Sequence, residues 1–237
     1  MTPVLVVITL AFAVIAVVLW RRQLVLRRDA YIRSFVLPRG LFEKLRKNHP
    51  QLTLKQCQLV AHGLRQFFMA HLKSGNKFVS MPSQIADDMW HEFILYTKHY
   101  EAFCRQAFGR FFHHTPAVVL TGDRTGNTGL RRCWWYLCRE ENINPRLPTR
   151  LPLLFALDAK LGIPGGFHYI ADCNEVRRRD PHDQGTSAIH CGGDFADPSI
   201  DGGVDGMNDS SAGSVDGSDG SDSSDGGGGG GCGGGGD

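Results

Sequence analysis

The chain has 237 residues, 26 Lys+Arg against 24 Asp+Glu, and 7 Cys. The near-neutral total hides two opposite stretches. Asp183 to Asp237 holds eleven Asp, nineteen of the 29 Gly and no Lys, Arg or Glu, leaving +13 on residues 1–182. These figures exclude a disulfide-framework domain, a multidomain enzyme and a chain soluble throughout.

From Pro3 to Trp20 the sequence is apolar apart from Thr9 and carries no charge. Eighteen helical residues span about 27 Å, close to the ~30 Å hydrocarbon core of a bilayer. Arg21, Arg22, Arg27 and Arg28 follow, with no Lys or Arg before the run. That bias predicts a single-pass anchor in the cell membrane, N-terminus outside and the C-terminal domain cytoplasmic. The bilayer is then a partner through residues 3–20, and anionic headgroups are partners of the four arginines. No basic start or small-residue cleavage site marks a removed signal peptide. Residues 1–21 are read as the anchor and 22–38 as a basic juxtamembrane linker.

A mainly α domain is expected over residues 39–180. Thr53 is a plausible N-cap, and Leu54, Cys57, Val60, Ala61, Leu64, Phe67, Phe68, His71 and Leu72 recur at helical spacing. Ser74-Gly75-Asn76 ends that helix. Ser83 opens a second, which the stripe Trp90, Phe93, Ile94, Thr97, Tyr100, Cys104, Phe108 carries to Gly109. Antiparallel packing of the two is the economical arrangement. A third helix is expected from Thr128 to Glu141. Leu153–Leu157 reads as a short helix or strand, and Phe167–Ile170 as a possible strand. Residues 181–237, rich in Gly, Ser and Asp, lack the apolar surface to offset ordering entropy and read as a disordered tail. In a reducing cytosol the seven cysteines are expected as thiols.

One stretch, Met81 to Pro116, concentrates chemistry-bearing residues. On a helix His91 lies three residues from Asp88 and four from Asp87, where a carboxylate can fix an imidazole tautomer. His113 and His114 follow the helix end. Asp88, His91, His113 and His114, with Asp87 as the alternative carboxylate, are candidate ligands for zinc or iron. The competing reading is structural hydrogen bonding. Cys104 points about 140° from His91 on the helical wheel and is a poor co-ligand. His168, His182 and His190 with Cys173 and Cys191 lack zinc-type spacing. No Walker loop, dinucleotide fingerprint, HExxH or GxSxG occurs. No basic helix with interleaved aromatics stands out, so nucleic acid is not an expected partner.

The run with Asp88, Trp90-His91, Thr97, Tyr100, Phe103-Cys104, Gly109 and His113-His114-Pro116 resembles the glycine-rich domain-containing protein-like family. Trp134-Trp135, Cys138, the segment Leu151–Asp158 and the Gly run around Cys232 are similar to its bacterial membrane-anchored branch. The resemblance covers roughly residues 35 to 173 and implies a helical domain but no reaction. The leading functional expectation is an interaction or scaffold module with an unidentified protein partner. The alternative is a metal-binding protein or metal-dependent enzyme.

Overall fold

The computed structural model describes residues 3–114, 128–171, 190–192 and 195. Helix α1 (Pro3–Ser34) is one unbroken 32-residue helix, about 48 Å long at 1.5 Å per residue. Val4 to Trp20 are exposed, and the helix is long and apolar enough to cross a membrane. The segment expected as a juxtamembrane linker, 22–38, is helical as far as Ser34 because the last turns of α1 have a partner. Ile32 is fully buried. Tyr31 stacks on Phe103 at 5.9 Å, and Phe35 lies 4.6 Å from the same ring. The Arg65 guanidinium donates to the Phe35 carbonyl at 2.9 and 3.2 Å.

Charges complete this junction. Arg33 and Lys73 are shared between the Asp29 and Glu140 carboxylates. Burial raises the Glu140 carboxyl, but hydrogen bonds from Lys73 and Arg33 outweigh it and hold the group below its ordinary value.

After α2 (Leu41–Asn48), helix α3 (Leu54–Lys73) opens on a capping box. The Gln56 amide donates to Thr53 Oγ1 at 3.3 Å, and Gln56 Oε1 accepts from the Thr53 amide at 2.8 Å. Twelve of the 20 residues of α3 are buried, which makes it the central helix. Phe67 and Phe68 lie in its core face, each worth roughly 1.5–3 kcal/mol of transfer free energy.

The single helix expected from Ser83 to Phe108 is two: α4 (Gln84–Ile94) and α5 (Thr97–Phe108). At Tyr96 the backbone leaves helical angles (φ −81°, ψ 58°). The Tyr96 hydroxyl reaches the Arg39 carbonyl at 3.3 Å, and its ring sits 4.7 Å from the Lys44 ammonium. The apolar stripe runs through the break without a phase change, so periodicity conceals it.

Helix α6 (Thr128–Glu140) and helix α7 (Leu153–Leu161) both pack on α3. Glu141 joins them by accepting from Gln66 Nε2 at 3.0 Å, the Leu153 amide at 2.7 Å and Arg150 at 2.5 Å. Strand β1 (Tyr169–Ile170) pairs in parallel with β2 (His190–Cys191). That corrects the assignment of His190-Cys191 to a tail. Phe195, 2% exposed, packs on Trp134, Phe155 and Tyr169, so the domain extends past residue 180. Cys191 is disulfide-bonded, against the expectation of thiols throughout, whereas Cys57, Cys104, Cys133 and Cys138 are free and buried.

The fold is mainly α, with seven helices and one two-residue strand pair among the described residues. Cys173, His182, Cys232 and the tail from residue 196 onward lie outside the described residues.

Candidate metal centre

The position of α4 is set from its N-terminus. Four orphan N–H groups open every helix. Here Ser83 Oγ accepts from the Ala86 amide at 3.3 Å. Asp158, 1% exposed, accepts from the amides of Gln84 at 2.7 Å and Ile85 at 3.2 Å, and from Ser83 Oγ at 2.7 Å. It also accepts from the Phe167 amide at 2.8 Å, tying that segment to α4. A carboxylate at this end is favoured by the helix dipole as well as by its hydrogen bonds.

The second wall comes from the chain after α5. Gly109 ends that helix in the left-handed region (φ 77°), and a Cβ there would lie 2.4 Å from Arg28 Nη2. The reversed chain places Phe112 over His71, with rings 3.8 Å apart and 8° from parallel. Tyr100 stitches it in place. Its hydroxyl donates to the Phe112 carbonyl at 2.5 Å and accepts from Trp90 Nε1 at 3.1 Å. Burial pushes the Tyr100 phenol far above its ordinary value, so it remains protonated. His114, two residues beyond Phe112, lies edge-on to Trp90 with ring centroids 4.5 Å apart.

These two walls bring Asp87, His91 and His114 together. The Asp87 carboxylate accepts from His114 Nε2 at 2.9 Å, and His91 Nδ1 is 3.6 Å from its other oxygen. The two imidazoles are 4.1 Å apart, and one donor atom from each residue falls within 4.8 Å of the others. The side chains of Asp87 and His114 are 14% and 11% exposed, that of His91 51%. The site therefore has a covered floor and one open side.

Two of the sequence candidates stand elsewhere. Asp88 accepts from His49 Nε2 at 2.8 Å and from Gln84 Nε2 at 3.0 Å, clamping the end of α2 to α4. Asp87 therefore takes the place expected of Asp88. His113 is exposed beside Phe111, with centroids 4.8 Å apart, and is outside the cluster. Cys104 is buried in the core. His71 is also separate. Burial lowers its imidazole to about 4 despite a 2.9 Å hydrogen bond from Nδ1 to the Lys77 carbonyl. His49 and Asp158 were invisible in sequence, since their partners lie 39 and about 75 residues away.

Two imidazoles and one carboxylate form a donor set suited to zinc or ferrous iron. Ligands must be deprotonated to bind. An ion bound through His114 Nε2 would take the place of the hydrogen bond to Asp87, with the ring proton carried on Nδ1. No curated protein and no solved structure matches the chain. A family model described as UCP032817-like matches residues 27–195, well over half of the sequence, and the chain belongs to the UCP032817-like family.

Proposed function

We propose that this is a single-pass membrane protein whose helical domain binds a divalent transition metal, zinc or ferrous iron, at Asp87, His91 and His114. The observation that carries the reading is the convergence of those donors within 4.8 Å, on walls fixed by buried hydrogen bonds. Three protein ligands with one open side leave room for water or a small ligand on the ion. In this reading residues 3–20 are the anchor, and the charge rule applied to Arg21, Arg22, Arg27 and Arg28 supports a cytoplasmic domain. The kinship with glycine-rich domain-containing proteins belongs to the same proposal.

The test is elemental analysis of the full-length chain purified in detergent, beside H91A, H114A, D88N and H113A. Stoichiometric zinc or iron that is lost in the first two variants and kept in the last two supports the site. Absence of metal, with H114A merely less stable, leaves a structural Asp87–His114 hydrogen bond. That outcome selects the second reading, a membrane-tethered interaction module. It is favoured by Val36, Leu95 and Leu147, large apolar side chains that are 83%, 66% and 74% exposed.

A further inference from the structure

The domain has a definite underside, and α1 defines it. Contacts along α1 give heights: Phe35 meets Arg65, Asp29 meets Lys73, and Arg28 meets Gly109. Both α3 and α5 therefore run back toward the apolar end of α1. The segments that follow them, Ser74–Lys77 and Gly109–Arg110, form the domain's edge nearest the anchor. Helical side chains lean toward the N-terminus. The Arg28 guanidinium thus reaches back from a Cα about 12 Å beyond Trp20, toward the ~5–8 Å headgroup layer. Gly109, against that guanidinium, lies at the same level.

The composition of this edge matches that level. Lys77 and Arg110 are exposed, and the two turns are fastened together by Arg110 donating to the Asn76 carbonyl. Asp29, the nearest carboxylate on α1, is already held by Arg33 and Lys73. Between the two arginine pairs, Val25 and Leu26 are 41% and 60% exposed, apolar surface that the domain leaves uncovered.

We infer that Lys77 and Arg110, with Arg28 beside them, form a second basic contact with anionic lipid headgroups, holding the folded domain down on the bilayer that α1 enters. The inference rests on α1 as a membrane anchor. Charge complementarity selects the lipid surface as occupant, since a basic residue near an anionic bilayer gains about a fivefold preference. The contact covers Val25 and Leu26 at the interface.

The experiment is amide hydrogen exchange on the full chain in lipid nanodiscs, phosphatidylcholine alone or with anionic phosphatidylglycerol. Peptides covering residues 74–78 and 109–111 should exchange several-fold more slowly in the anionic discs. The difference should vanish in K77E/R110E, and in high salt, which screens exposed charges. K77E alone, which keeps the Arg110–Asn76 contact, should lose part of it, and unchanged α3 exchange shows that each variant is folded. Equal exchange in the two lipids, or protection untouched by charge reversal, overturns the inference. Carbonate extraction separates the layers: a chain extracted from membranes refutes the anchor and this contact together, whereas a retained chain with lipid-independent exchange refutes this contact alone.

Discussion

Replacing Tyr100 with Phe removes one oxygen and tests how the candidate centre is built. The hydroxyl is buried between the Trp90 indole N–H and the Phe112 carbonyl. Its loss leaves a donor and an acceptor unpaired away from water, each costing about 1–3 kcal/mol. A combined loss of roughly 2–6 kcal/mol should lower the Tm by about 4–24 °C for a domain of this size. His114 is only two residues beyond the carbonyl that Tyr100 holds. Loss of a group that orients a metal ligand costs about 10–100-fold in affinity. The assay is zinc titration against a competing chelator with the full chain in micelles, well below the Tm of the variant. A lowered Tm with zinc affinity within twofold of the parent would refute the view that Tyr100 positions His114. An unchanged Tm would refute the desolvated hydrogen-bond pair itself.

Other outcomes follow from groups away from the centre. Asp158→Ala strands three backbone amides and the Ser83 hydroxyl; urea denaturation should show a loss of about 3–5 kcal/mol, and a loss under ~1 would contradict the capping role. His71 is lowered to about 4 in the folded chain from an ordinary 6.5. The unfolded chain therefore binds the extra proton first, and stability that is full above pH 6.5 should fall as pH drops toward 4, by about 3 kcal/mol. H71F should flatten that part of the stability–pH curve, and an unchanged slope would refute the assignment. For topology, the Cys191 disulfide of the structure points to an oxidising compartment and the arginines to the cytosol. Thiol trapping during denaturing lysis decides between them: Cys191 found reduced supports the cytosolic side. Cys191 trapped as a disulfide in cells would reverse the orientation drawn from the arginines.

Local signals were legible in the sequence, and closures through distant residues were not. The caps at Thr53 and Ser83 stood out because their chemistry acts within three residues. The break at Tyr96 did not, since Trp90, Phe93, Tyr100 and Phe103 keep helical phase across it while the cause, the Arg39 carbonyl, is 57 residues away. At the candidate centre, His91 and Asp87 were readable as an i, i+4 pair. The choice of His114 over His113, and of Asp87 over Asp88, depended on Gly109 reversing the chain and on His49 claiming Asp88. The bend that a glycine permits is visible in a sequence; the side chain it delivers is not.

The unbroken course of α1 also fixes an azimuth. Each residue of a helix turns it by 100°, and no interruption between Pro3 and Ser34 can absorb a rotation. In the proposed membrane-anchored arrangement, the face that α1 turns to lipid at Val7 or Val14 is therefore keyed to the side on which the domain carries His91. A neighbouring span that packs against one face of the anchor also selects which flank of the domain it meets. Inserting a single residue between Arg22 and Asp29 would swing that flank by about 100° while changing the height by only about 1.5 Å.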